Sequence, residues 1–340
     1  MDGDRLTTLL GFLVALIVLA VIIWFIGVDD VLGALSQAET PVLVLIVCVA
    51  ACWLSAWGLA LWTVLGAIGT PVSAPKAIFV FSAAVFSNNV TPFGQAGGEP
   101  VSALLISSVA DSEYENGLAA IASVDTLHFV PSVGFSVIGF VLVIAGAAQL
   151  TRNIAVAALG VVGLVAVIVT AVVLGWRNRT RVEAGVARVV TPILRLLARI
   201  VPGRSPPDPG TVEHRIDGFF ESVGRVANDR ETIVKAMGFS AIGWLALSTS
   251  LWLSLYSLGH TTPFAAALFV VPVGSIAGAT PLPGGLGGLE AAFIALLVPT
   301  AGVSLSVATA AVFIHRGATY WLPTLFGGGA AAVIGAGSRR

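Results

Sequence analysis

At two places in a chain built largely from bilayer-length apolar runs, a threonine-proline is followed by a glycine cluster and a glutamate. These are Thr91-Pro92-Phe93-Gly94-Gln95-Ala96-Gly97-Gly98-Glu99 and Thr280-Pro281-Leu282-Pro283-Gly284-Gly285-Leu286-Gly287-Gly288-Leu289-Glu290. Proline removes a backbone donor, glycine weakens a helix, and a carboxylate resists dehydration, so each cluster breaks a helix where the break is costly. Non-helical backbone at membrane depth survives only where protein or water satisfies its amides and carbonyls. The residue 26 positions after each glutamate is another charge in apolar surroundings, Asp125 in one case and Arg316 in the other. Interruptions at matching points of two halves point to a transport site where the halves meet.

Composition agrees with a membrane class. The 340 residues are 57% hydrophobic and 10% charged, with a mean hydropathy of +0.97; soluble domains carry roughly 25% charged residues. One integral membrane unit with many spans follows. The first apolar run, 6–27, is span-length and lacks a small-residue cleavage pattern, so it reads as a span and not as a signal peptide. Cys48 and Cys52 lie four apart on an apolar stretch with no polar partner beside them, which favours packing over metal or redox roles. No Gly-Lys dipeptide occurs anywhere, which excludes a P-loop nucleotide site, and no His-Glu-x-x-His zinc motif is present. No enzymatic activity, cofactor or metal is expected, and scattered arginines do not make a nucleic-acid surface.

The apolar runs set an expected topology of six full spans and two re-entrant helical hairpins. Spans are expected at 6–27, 41–65, 117–148, 154–176, 236–258 and 303–334. The 117–148 run is longer than a ~30 Å hydrocarbon core requires, so it tilts or bends near Pro131. Short apolar pieces at 76–90 and 100–110 flank the first glycine cluster, and 264–279 and 290–298 flank the second. Residues 1–340 then form a single transmembrane domain. Its first half is 1–150, its second half is 151–176 with 236–340, and a cytoplasmic amphipathic helical loop occupies 177–235. That loop holds 11 Arg and Lys against 7 Asp and Glu. With Arg339 and Arg340 it places both termini in the cytoplasm, while Asp29, Asp30 and Glu39 lie across the membrane. Each half has an odd number of crossings, so the duplication is an inverted repeat in an all-α polytopic membrane protein.

The broken segments carry the candidate chemistry. Gly97, Gly98, Gly284, Gly285 and the Gly287-Gly288 pair permit tight turns and close backbone approach. Glu99 before Pro100 reads as an N-cap followed by a first-turn proline, and Glu290 similarly opens 291–298. Two inward-facing half-helix N-termini would offer free N–H groups to an anion. The glutamates either cap these half-helices alone or cap them and also meet substrate. Asp125 and His128 share a helix face, and pseudo-symmetry would let Asp125 pair with Arg316 across the repeat axis. Embedded charges normally face a cavity or a partner. Three carboxylates against one arginine suggest a water-filled groove, also lined by Asn88, Asn89, Thr91, Gln95 and Pro283. Those amides either meet substrate or only satisfy the broken backbone, and His128 is either a packed histidine or a proton carrier.

In the polar loop Arg181, Arg188, Arg195 and Arg199 recur on one face over 181–199, against Val182, Val186, Val189, Val190, Ile193 and Leu197. This suits a helix, kinked at Pro192, lying on an anionic inner leaflet. Residues 213–235 read as a second surface helix carrying Phe219 and Phe220.

The runs Asn89-x-Thr91-Pro92-x-Gly94-x-x-Gly97-Gly98-Glu99 and Pro281-x-Pro283-Gly284-Gly285-Leu286-Gly287-x-x-Glu290 and the late Arg316-x3-Tyr320-Trp321-x-Pro323 resemble one family over nearly the whole chain. It is the flippase-like transmembrane domain family of lysylphosphatidylglycerol synthases. The resemblance implies an ATP-independent lipid flippase or scramblase in the cell membrane, moving a phospholipid or a polyprenyl-phosphate-linked lipid between leaflets. It implies that Glu99, Glu290 and Arg316 line the lipid path. The chain carries neither an aminoacyl-transferase nor a glycosyltransferase domain, so a separate lipid-modifying enzyme is a possible partner. The alternative is a proton- or cation-coupled transporter of a small polar solute.

Overall fold

The structure is a computed structural model that describes residues 24, 28–91, 94–146, 209–280 and 282–337. Every regular element among the described residues is helical. The expected span 154–176, the arginine-bearing helix 181–199, and all of 6–27 except Trp24 lie outside them.

The helices in order are α1 (Val28–Leu35), α2 (Thr40–Ile68), α3 (Ala74–Val90), α4 (Gln95–Ala110), α5 (Tyr114–Gly146), α6 (Pro209–Asn228), α7 (Arg230–Ser257), α8 (Phe264–Ser275), α9 (Gly288–Ala301), α10 (Leu305–Arg316) and α11 (Leu322–Gly337). Three of them, α2, α5 and α7, have 29, 33 and 28 residues and are apolar enough to cross a membrane. Pro131 sits inside α5, which continues through it unbroken. By contrast α3 and α4 have 17 and 16 residues, about 25 Å each, which is short of a ~30 Å core. The stretch Pro283–Ala301 is long and apolar by composition, but Gly284 has a non-helical φ of 56°, so its regular helix is only α9.

Local chemistry sets the boundaries. Helix α2 starts with Pro41 in its first turn and stops at Gly69, whose φ of 93° only glycine adopts freely. Thr70 N–H closes that stop on the Leu65 carbonyl at 3.0 Å. Asp229 separates α6 from α7, so the expected helix over 213–235 is two: Lys235 belongs to the span, not to a surface helix. The Asp229 carboxylate accepts from Glu231 N–H at 3.0 Å, Thr232 N–H at 3.2 Å and the Thr232 hydroxyl at 2.9 Å. The Thr232 hydrogen bonds hold this carboxyl below the usual carboxylate range. A depressed folded-state pKa stabilises the fold above the unfolded-state value and loses that contribution as pH falls through the folded value. Asp229→Ala is therefore expected to lower the thermal midpoint at neutral pH while Asp229→Asn retains most of it. Unfolding scans from pH 7 to about 3 should show the alanine deficit shrinking toward the acid end.

Contacts at the helix ends fix how the bundle is threaded. Arg225 on α6 donates to the Ile68 carbonyl at the end of α2. Arg215 pairs with Glu115 at 3.2 Å, and the Ser222 hydroxyl donates to Asn116 Oδ1 at 2.8 Å. The C-terminus of α2, the N-termini of α5 and α7, and all of α6 therefore share one end. At the other end Glu39 N–H donates to the Ser257 carbonyl at 3.0 Å, joining the start of α2 to the finish of α7. The α3–α4 hairpin consequently enters and leaves at the α6 end, and the α8–α9 hairpin at the opposite end. Phe219 packs on the buried cluster around Val226 and Val64 instead of lying free on a surface.

Small residues bring the helices close, as membrane helices require where no hydrophobic drive separates protein from lipid. A side chain at Gly139 of α5 would come 2.6 Å from Phe269 N of α8, and Gly327 of α11 lies against the Ser82 carbonyl of α3. The outer faces remain apolar: Ile138, Val141, Leu142, Leu325 and Phe326 are all exposed. Cys48 and Cys52 share this outward orientation on α2.

Candidate functional site

The second hairpin turns through three glycines with positive φ: Gly284 at 56°, Gly285 at 68° and Gly287 at 84°. Its tip rests on the first hairpin. A side chain at Gly284 would run into the Tyr320 ring and come 3.1 Å from Asn89 Cα, and one at Gly94 would sit 3.4 Å from the Gly278 carbonyl. Both N-termini of the inner helices, Gly94 before α4 and Gly287 before α9, therefore reach the same region of the bundle.

Glu290 lies one turn into α9 and is 1% exposed. One carboxylate oxygen accepts the Gly287 N–H, so Glu290 caps the helix from its third position instead of opening it at 291 as expected. The other accepts Arg316 Nε at 2.6 Å. Arg316 Nη2 donates to the Gly284 carbonyl at 3.3 Å, and the guanidinium stacks 4.5 Å from the centroid of the Tyr320 ring. The arginine thus holds the second turn closed with charge, hydrogen bond and ring contact together. Its remaining nitrogen, Nη1, makes no hydrogen bond among the described residues.

Tyr320 and Thr324 are neighbours of the Arg316 region that the sequence reading did not place in the site. Arg316 is followed by a π-helical turn, Gly317–Trp321, an irregularity common at functional sites. That turn joins α10 to α11 within what was expected as one span, 303–334. Tyr320 is fully buried and donates its hydroxyl to the Asn89 carbonyl at 3.0 Å. Asn89 Nδ2 in turn donates to Thr324 Oγ1 at 2.8 Å. The sequence signal was the spacing: Tyr320 and Thr324 follow Arg316 at one-turn intervals.

In the first half the structure departs from expectation. Helix α4 begins at Gln95, so Glu99 and Pro100 lie inside it instead of opening it. Of that glycine cluster only Gly94 turns the chain, with a φ of 54°. Gly97 and Gly98 are helical, and Gly98 serves close approach, since a side chain there would come 2.6 Å from Asn88 Cα. Asp125 does not pair with Arg316. Asp125 instead faces Glu99 across the α4–α5 contact, and its Oδ2 is buried without a hydrogen-bond partner. The physical reason is proximity in the fold: α4 packs along α5, which brings Glu99 to Asp125, and α9 packs along α10, which brings Glu290 to Arg316. Each charge 26 residues on meets the glutamate of its own half.

The other expected residues divide between the two hairpins and a separate cluster. Asn88 lies over Gly98 with its Oδ1 buried and without a partner. The Thr91 hydroxyl donates to the Ser87 carbonyl of its own helix, closing α3. Pro283 is buried beside the Gly284 turn. His128 is 5% exposed and stacks on Trp57 at 4.2 Å between ring centroids. Its backbone carbonyl accepts Trp244 Nε1 at 2.9 Å. His128 therefore belongs to an aromatic junction of α2, α5 and α7, reading first as a packed histidine.

Comparison with known proteins is consistent across the chain. Residues 9–327 match the family described as the lysylphosphatidylglycerol synthase TM region. A UPF0104 membrane protein of Methanothermobacter thermautotrophicus is 27% identical, over 95% of this chain and 92% of its own length. A UPF0104 membrane protein of Pyrococcus horikoshii is 24% identical, over 91% of each chain. An all-helical, multi-pass chain with two glycine-turned hairpins touching beside a buried Glu–Arg pair thus belongs to the lysylphosphatidylglycerol synthase transmembrane-region family.

Proposed function

We propose that this protein moves a polar-headgroup lipid, a phospholipid or a polyprenyl-phosphate-linked lipid, between membrane leaflets without nucleotide hydrolysis. The observation that carries the reading is the meeting of the two hairpin turns beside the Glu290–Arg316 pair. Neither α3 nor α4 is long enough to span, so polar backbone from opposite ends of the bundle converges inside it, where a headgroup would otherwise meet only hydrocarbon. The hairpins open at opposite ends, and a glutamate contacts the residue 26 positions later in each half. Both features support an inverted repeat with its site near the bilayer midplane. The α6 end faces the cytoplasm in this reading, because the arginine-rich segment 177–235 adjoins it.

Arg316 is the group assigned to the substrate's phosphate. Its charge is balanced by Glu290, and Nη1, which has no acceptor among the described residues, is the nitrogen offered to an anion. The test is purified protein in liposomes containing a headgroup-labelled lipid, assayed by a leaflet-selective quencher with no nucleotide present. Movement above empty liposomes for a phospholipid or polyprenyl-phosphate lipid is expected. No acceleration for any lipid in such a panel would reject the reading and return the solute-carrier alternative to the front.

A further inference from the structure

The two glutamates that follow the hairpin turns have unlike partners. Glu290 meets a guanidinium, whereas Glu99 faces a second carboxyl, that of Asp125, across the α4–α5 contact. A hydrogen bond needs a donor, and a carboxyl oxygen donates only when it carries a proton. A proton held between Glu99 and Asp125 would supply that donor and relieve the repulsion of two like charges, in the place where Arg316 stands opposite Glu290.

Among the described residues the surroundings bring no cation to take the place of such a proton. Helices α2, α8 and α11, packed around α4 and α5, contain no charged residue. The basic residues of the other neighbours sit at helix ends or on α6: Lys76 in the first turn of α3, Arg230 and Lys235 at the start of α7, Arg215 and Arg225 on α6. Asp125 lies eleven residues into α5, about 16 Å along the helix from that end. The acids of α6, α7 and the α5 N-terminus share the same distant end, and His128 stacks within the α2–α5–α7 aromatic junction. Two further oxygens, Asp125 Oδ2 and Asn88 Oδ1, are buried here without partners; the latter lies over Gly98, next to Glu99 in the chain. Among the described residues no group of three or more His, Cys, Asp and Glu side chains is placed to hold a metal ion.

We propose that Glu99 and Asp125 form a proton-binding site, and that a proton loading and leaving there is coupled to lipid movement. The proton arrives from water on one side, bridges a Glu99 oxygen and an Asp125 oxygen, and departs to water on the other side. No bond other than these O–H bonds is made or broken. The coupling rests on the lipid-translocation reading, whereas the proton site itself does not.

Two measurements separate the claims. Infrared difference spectra of the purified protein in lipid nanodiscs, titrated through the neutral range, are expected to show the carbonyl stretch of a buried protonated carboxylic acid. Asp125→Asn and Glu99→Gln, each isosteric, are expected to remove that band; either one that unfolds is replaced by the other. Spectra unchanged by both folded variants overturn the proposal, as does a band abolished by sodium at constant ionic strength and pH, which marks a cation site. The second measurement imposes a pH gradient on liposomes. With one proton moved per lipid, each pH unit sustains about a tenfold leaflet asymmetry, and Asp125→Asn loses the response. Lipid movement indifferent to the gradient overturns the coupling. The carboxylic band with no lipid movement at all supports the proton site and rejects the lipid reading instead.

Discussion

Arg316→Ala is expected to destabilise the protein by about 3–5 kcal/mol, because removing one member of a buried ion pair strands the other. Glu290 is 1% exposed and would keep only the Gly287 N–H as partner. The same change releases the Gly284 carbonyl and the ring of Tyr320, so the second hairpin turn loosens as well. Arg316→Lys keeps the charge but loses the fork that serves Glu290 and Gly284 together, and should fall between the two. The decisive variant is Glu290→Gln combined with Arg316→Met, which leaves no unpaired charge. It should regain much of the stability in thermal unfolding. If Arg316 meets the lipid phosphate, the double variant stays inactive in the leaflet assay; recovery of transport along with stability would make the arginine a purely structural partner.

The second large effect concerns a single hydrogen. Gly98→Ala places a methyl group 2.6 Å from both Cα and N of Asn88, so α3 and α4 have to separate along the hairpin. Overpacking of this kind costs about 1–3 kcal/mol, occasionally more. Truncating Asn88 to alanine as well should not rescue it, because the atoms in the way are backbone. Gly134→Ala is the matched control. That glycine is also inside a membrane helix but has nothing within 4 Å of the added carbon, so a gain of about 0.5–1 kcal/mol is expected. Equal thermal midpoints for Gly98→Ala and wild type would mean that the hairpin arms are not in contact at this level.

Much of the fold was legible in local sequence. Proline at the start of α2 and α3, glycine at the end of α2, and bilayer-length apolar runs between them are signals carried by a few neighbouring residues. The boundaries that were misread are those where a costly residue sits inside a helix. Pro100 does not open α4, because Gly94 turns the chain five residues earlier and the prolines of membrane helices are tolerated when neighbours satisfy the freed carbonyl. The helix over 213–235 broke at Asp229, whose side chain serves the next helix as its cap.

The sequence by itself determined that this chain is a helical membrane protein, where its helices are interrupted, and that the interruptions are paired with charges at one recurring spacing. These follow from free energies of transfer and from backbone propensities, which each segment carries wherever it is placed. Which charge meets which was decided only by tertiary packing. The spacing of 26 is compatible with a bridge between halves or a contact within each, and the choice depends on α4 lying along α5 and α9 along α10. The same packing set Tyr320 beneath Arg316 and brought Gly94 to the second hairpin. A buried charge is stabilised only by a partner within a few ångströms, and a distance of that size between segments far apart in the chain exists only once the helices have packed.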